Sequence, residues 1–199
     1  MLRSLLPAVI ALAALLGGVL AAAALFRPSA PAFETGVLLP EPRPLPALPL
    51  LDESAAPTLL NAARDEWTLV FPGFTYCPDI CPTTLAQLAG LPPRVEGLKV
   101  RLLTIDPARD DPARLKAYVQ HFDPRLGAWV AGDDALPEVA RALSIAYVRV
   151  PQGEDGDYTM DHSTALTLIG PEGRIRAFFT PPFDIEGMAA DIGRLIAKG

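Results

Sequence analysis

Hydrophobic positions along the chain change period several times, and each change marks an element. The first is an uncharged apolar run from Leu5 to Phe26. At ~1.5 Å per residue it is long enough to cross the roughly 30 Å core of a bilayer as a helix. Pro28, Pro31, Pro40, Pro42, Pro44, Pro46, Pro49 and Pro57 follow. Proline at this density forbids helix and favours extended polyproline backbone. Residues 27–44 therefore read as a stiff spacer, with the apolar Leu45–Leu51 piece packing on a domain that spans 45–199.

Within that domain Trp67–Phe71 is a short apolar run before Pro-Gly and predicts a buried strand. Leu98–Ile105 predicts a second. Asp111-Pro112 is a helix start, and Leu115, Tyr118, Val119 and Phe122 recur behind it at helical spacing. Ala128–Val130 and Ala146–Val150 are strand-like, and Leu136–Leu143 is helical. Thr164–Ile169 and Ile175–Phe179 flank Gly170-Pro171-Glu172-Gly173, a hairpin signal. Ile185–Ala197 closes the chain as an amphipathic helix with Ile185, Met188, Ile192, Leu195 and Ile196 on one side. Alternating strands and helices ending in a hairpin predict an α/β fold, a mixed sheet flanked by helices.

Charge narrows the partners. The net charge is −6 with no Lys/Arg-rich stretch, which argues against nucleic acid. A mildly acidic domain also repels anionic headgroups, so membrane contact falls to the Leu5–Phe26 segment. That segment reads as a transmembrane anchor over residues 1–26, with a cleaved signal peptide as the alternative. In either case the remaining chain is exported.

There are two cysteines and two histidines in total. Cys77 and Cys81 stand in Phe74-Thr75-Tyr76-Cys77-Pro78-Asp79-Ile80-Cys81-Pro82. They are too close together to staple a domain of this size, which leaves a redox pair or a metal site. A cysteine pair after the first long strand and at a helix start suggests a thioredoxin-like arrangement. Each cysteine precedes a proline and is pushed from the α region. Cys77 is then expected in the loop, and Cys81 at the N-cap with Pro82 as the first helical residue. Helix-end N–H groups facing the sulfurs would lower their pKa and favour thiolate. Soft thiolates select Cu(I), with zinc as the competitor. A closed zinc site wants four ligands and would have to recruit His121, which reads as a surface helix residue. His162, in Tyr158-Thr159-Met160-Asp161-His162-Ser163, reads from chemistry alone as a loop histidine at a strand edge or as a third ligand.

Taken together, Gly73–Thr84 (GFTYCPDICPTT), Thr104–Asp110 (TIDPARD), Pro112–Tyr118 (PARLKAY) and Asp161-His162-Ser163 ahead of Leu168–Gly173 (LIGPEG) resemble the Sco/SenC family of cytochrome c oxidase assembly proteins. The resemblance runs in order from about Trp67 to the C-terminus. It implies a membrane-anchored thioredoxin-like domain that binds copper, as Cu(I) and also Cu(II), through Cys77, Cys81 and His162. It also implies delivery to the CuA centre of oxidase subunit II after loading by a copper donor protein. The expected location is a bacterial inner membrane, spanned once, with the domain in the periplasm. Asp110 is a candidate to brace the ligands from behind. Asp106 and Arg109 read as a turn leading to the Asp111 cap, and Asp79 and the acidic Gln152–Asp157 stretch as solvated loops. Two positions depart from the family pattern. Leu50–Asn61 lacks the usual glycine-containing turn, and Pro72 replaces a large apolar residue. A thiol–disulfide reductase and a copper or redox sensor are the competing functions. Disulfide exchange needs only the two cysteines, whereas stable copper binding should need the imidazole too. A peroxiredoxin-like enzyme lacks support, because no lone cysteine sits in a peroxide-activating setting.

Overall fold

The computed structural model describes residues 12, 14–18, 33–62, 66–153 and 156–197. Most of the Leu5–Phe26 run lies outside them; Leu12 and residues 14–18 are helical. Among the described residues no helix is long and apolar enough to cross a membrane. Residues 33–199 form one compact unit.

The strand expected at Trp67–Phe71 extends to Trp67–Gly73 (β4), and every residue of it is buried. It lies between a parallel neighbour, Leu98–Thr104 (β5), and an antiparallel one, Leu166–Ile169 (β9). Burial on both faces explains why it reads as a continuous apolar run rather than an alternating one. Pro72 is tolerated here for a geometric reason. Trp67 N–H donates to Gly97 C=O, and Gly73 C=O accepts from Ile105 N–H. Odd-numbered residues of β4 thus bond toward β5. Pro72, which has no N–H, faces the β9 side, where the ladder stops at Val70.

Gly127–Val130 (β6) continues the parallel part beyond β5. The connections from β4 to β5 and from β5 to β6 carry helices Ile80–Leu88 (α1) and Pro112–Phe122 (α2). Asp111 caps α2 by accepting from Arg114 N–H at 2.8 Å, with Pro112 first in the helix. Leu136–Ala142 (α3) follows β6. Arg174–Phe179 (β10) pairs with β9 through the expected hairpin. Its Gly173 has φ +72, and a Cβ there would lie 2.3 Å from the Asn61 carbonyl oxygen, so the turn demands glycine. The last helix, Ile185–Ile196 (α4), buries Met188, Ile192 and Leu195 as its pattern predicts.

Residues 27–44 are not a spacer throughout. With Pro49–Asp52 as β2 and Pro57–Leu59 as β3, Gly36–Pro44 (β1) is the edge strand of an eight-stranded sheet ordered β1-β10-β9-β4-β5-β6-β2-β3. Proline-rich backbone is already extended, and an edge strand needs its N–H groups on one side only. The register with β10 breaks between Leu38 and Arg43, which places Pro40 and Pro42 where no ladder bond is required. Arg43 then donates to Ala142 C=O and to Ser144 Oγ, each at 2.9 Å. Thr35 and Glu34 are tied down by Asp191, a buried carboxylate on the apolar side of α4. Leu45 and Leu50 do pack into the core. Pro49–Asp52 (β2) and Pro57–Leu59 (β3) make a hairpin on the far edge. Its turn has no glycine; Ala55 takes φ +61 instead, and the Asp52 carboxylate accepts from Ser54 and Ala56 N–H.

A second difference bears directly on the site. The strand at Ala146–Val150 is Tyr147–Gln152 (β7), and it does not join the main sheet. It pairs with Asp157–His162 (β8) as a separate two-stranded ribbon. Gln152 and Asp157 are the last pair of this ribbon, and residues 154 and 155 of the acidic stretch lie outside the described residues. His162 thus ends a strand rather than lying in a loop.

Candidate metal centre

The site forms where β4, the start of α1 and the end of β8 converge. Leaving β4, the chain turns at Phe74, whose carbonyl accepts from Cys77 N–H. Asp79 is the N-cap of α1, although its side chain makes no capping bond. Cys81 is therefore the second residue of the helix, not the cap expected from the sequence. Pro82 does not prevent this, because first-turn N–H groups have no helical partner to lose. The Cys81 N–H donates instead to Cys77 Sγ at 3.3 Å. The first sulfur thus occupies the place of the missing capping side chain.

Cys77 is half-buried and Cys81 is fully buried, and both are free thiols. Burial, followed by the hydrogen bond to Cys77, pushes the Cys81 thiol well above its usual range. The Phe74 backbone pulls the other way, and the charges of Cys77 and Asp110 add to the rise. Desolvation thus overrides the helix end at Cys81, contrary to the lowered value expected for it.

His162 Nε2 lies 4.0 Å from Cys81 Sγ. Its Nδ1 lies 2.8 Å from the Ser163 carbonyl oxygen. A carbonyl only accepts, so in the neutral ring Nδ1 carries the proton and the Nε2 lone pair faces the sulfur. The Phe74 ring meets the imidazole edge-on, with centroids 6.1 Å apart. Among the described residues no three His, Cys, Asp or Glu side chains are already gathered as a metal cage. Cys81 Sγ and His162 Nε2 face each other, while Cys77 Sγ is engaged with the helix end. His121 is exposed on α2, as expected.

Asp110 lies behind the cysteine loop and is 1% exposed. It accepts from Thr75 N–H at 3.0 Å, Thr75 Oγ1 at 2.5 Å and Thr104 Oγ1 at 2.8 Å. Burial raises its pKa, against the lowering effect of the threonine bonds. It fastens Thr75, two residues before Cys77, to Thr104 at the end of β5. Thr75 and Thr104 were not singled out from sequence, since nothing local marks them. Tyr118 reads from the sequence only as a position at helical spacing on α2. Its hydroxyl is buried without a hydrogen-bond partner, and Cys81, Cys77 and Asp110 add to the burial that raises its pKa.

Fold and site together define a thioredoxin-like α/β domain with a dithiol at a helix start and an imidazole brought up by a separate ribbon. The solved structure of Bradyrhizobium japonicum ScoI with copper bound is similar at 30% identity and a TM-score of 0.68, covering 76% of this chain and 98% of that one. Copper-bound yeast Sco1 is similar at 25% identity and a TM-score of 0.71, covering 79% and 91%. A Stutzerimonas stutzeri protein named for copper binding is 36% identical over 157 residues, 76% of each chain. The mouse mitochondrial SCO2 homolog is 34% identical over 154 residues, 74% of this chain; the match takes in 60% of the mouse protein's length. The SCO1/SenC family pattern matches residues 49–197, and the chain belongs to that family.

Proposed function

We propose that this protein is a copper chaperone. Cys77, Cys81 and His162 hold one copper ion as cargo, received from a donor protein and passed to the CuA centre of cytochrome c oxidase subunit II. The observation that carries this reading is the 4.0 Å approach of His162 Nε2 to Cys81 Sγ, with the imidazole lone pair turned toward the sulfur. Two soft sulfurs and one imidazole suit Cu(I) better than a four-ligand closed zinc site. Burial opposes a free thiolate at Cys81, and a bound cation offsets that cost. Cys77, the more exposed sulfur, is the natural point at which a donor or acceptor thiolate exchanges with the ion. The Bradyrhizobium and yeast relatives are both described with copper bound.

The test is Cu(I) titration of the reduced and the oxidised full-length chain. One equivalent bound by the reduced form, and none by the disulfide form, is expected. Undiminished binding by the fully oxidised chain would sink the ligand assignment.

The two free thiols, joined through the Cys81 N–H, also favour a thiol–disulfide reductase reading. In that case the Cys77 thiolate attacks a disulfide of the oxidase, Cys81 resolves the mixed disulfide, and the pair is left oxidised while the target is reduced. We also assign Leu5–Phe26 as an uncleaved anchor in a bacterial inner membrane, with the domain on the periplasmic side. Resistance to carbonate extraction and protease access from the outer face are expected. A mature N-terminus after Phe26 would remove the anchor and leave the copper site standing.

A further inference from the structure

The β7–β8 ribbon shares no ladder with the main sheet, yet it carries His162 to the cysteines. Something besides strand pairing must set that approach. On β8, Tyr158, Met160 and His162 alternate onto one face. A grip on Tyr158 therefore bears directly on where the imidazole lies.

Arg109 supplies the grip. Its guanidinium lies 3.7 Å from the centroid of the Tyr158 ring and 4.6 Å from that of Tyr76, the residue immediately before Cys77. Nη1 donates to the Tyr158 carbonyl at 2.9 Å. Nε donates at 2.5 Å to Asp106, a carboxylate only 1% exposed. The other Asp106 oxygen accepts from the Tyr158 hydroxyl at 2.8 Å. Arg114 over Tyr76 and Arg149 over Tyr158 extend the stack at 5.0 and 4.2 Å. One buried-facing cation thus binds the ribbon, the cysteine loop and the end of the β5 connection.

We propose that Arg109 is a positioning residue for the copper site. Held between Tyr76 and Tyr158, it sets the distance between His162 and the cysteine pair, and so determines how tightly the imidazole completes the site. This rests on the ligand set of the chaperone reading. Lysine keeps the charge but lacks the planar fork and the stacking face, so Arg109→Lys loosens the ribbon without leaving Asp106 without a cation. Tyr76 is 51% exposed, so Tyr76→Leu removes one side of the clamp with little risk to folding, and Tyr76→Phe keeps the ring.

The experiment is a mutant cycle in the full-length reduced chain, read by Cu(I) competition against a chromophoric chelator. Arg109→Lys and Tyr76→Leu are each expected to weaken copper binding by roughly 10–100-fold, the range typical of losing a group that orients a ligand. Tyr76→Phe is expected to match the native chain. In a His162→Ala background Arg109→Lys should cause no further loss, because it acts through the imidazole. Without copper, hydrogen exchange of amides 157–162 should quicken in Arg109→Lys while β4 and β5 amides stay protected. Native affinity in both Arg109→Lys and Tyr76→Leu, or an equal additional loss on the His162→Ala background, overturns the proposal. If Arg109→Lys does not fold, Tyr76→Leu in the same cycle decides. If His162→Ala itself leaves affinity unchanged, the ligand reading falls and this proposal with it. If only the clamp variants are silent, the ligand reading survives alone.

Discussion

Cys81 Sγ and His162 Nε2 come within 4.0 Å of each other across a separation of 81 residues in the chain. The sulfur is fixed in the first turn of α1 and the imidazole at the end of β8, so neither element alone makes the site. His162→Ala should leave two sulfurs and an open position, loosening copper by roughly 10–100-fold or more. The dithiol potential should move by no more than roughly a few tens of millivolts, since both sulfurs keep their helix-end environment. Copper competition and redox titration of the same variant measure both. Full oxidase assembly by this variant in copper-poor cells would favour the reductase reading over the chaperone one.

Asp110 joins Thr75 to Thr104 behind the cysteine loop. Asp110→Ala should leave the Thr75 N–H and the Thr75 and Thr104 hydroxyls without this acceptor, destabilising the domain by about 1–3 kcal/mol in denaturant unfolding. Asp110→Asn removes a negative charge that contributes to the raised Cys81 pKa. The Cys81 thiol of that variant should titrate at lower pH, followed by thiolate absorbance. An unchanged or higher value would show that the carboxylate charge does not reach the sulfur.

Ala55 occupies the left-handed region at φ +61 in the β2–β3 turn. That conformation costs a non-glycine residue about 1–2 kcal/mol. Ala55→Gly should therefore raise stability by about 1 kcal/mol, less the extra freedom of glycine in the unfolded chain. The denaturant midpoint should rise while copper affinity stays the same.

Asp191 accepts from Glu34 N–H, Thr35 N–H and Thr35 Oγ1, and it pairs with Arg194. Burial pushes its pKa up, but these bonds outweigh burial and hold it below the usual carboxylate range. A depressed folded value means stability that is present above the ordinary carboxyl pKa and lost as pH falls through the folded one. Asp191→Asn should cost about 2 kcal/mol at neutral pH. The gap from the native chain should close below about pH 4. A gap that persists in acid would assign the loss to packing instead of charge.

Much of this protein was legible from local pattern. The buried strands β4 and β5, the Asp111 cap of α2, the Gly173 hairpin and the apolar side of α4 all follow from period, capping and turn chemistry. These act over a few residues and are written out in order along the chain. The cysteine pair at a helix start was equally plain, and family resemblance supplied His162. Pairing was the part that local pattern did not carry. An extended proline-rich segment has the same backbone whether it spans solvent or lies along a sheet edge, so β1 waited on contact with β10. A strand such as β7 does not announce its partner, and only the fold made it half of a ribbon. The Cys81 pKa went the other way from the helix-end argument because burial is set by everything packed around a residue. Arg109 read as part of a turn; its two aromatic faces come from residues 33 positions before it and 49 after it. Such contacts arise when separate elements close on one another, and no periodicity along the chain encodes them.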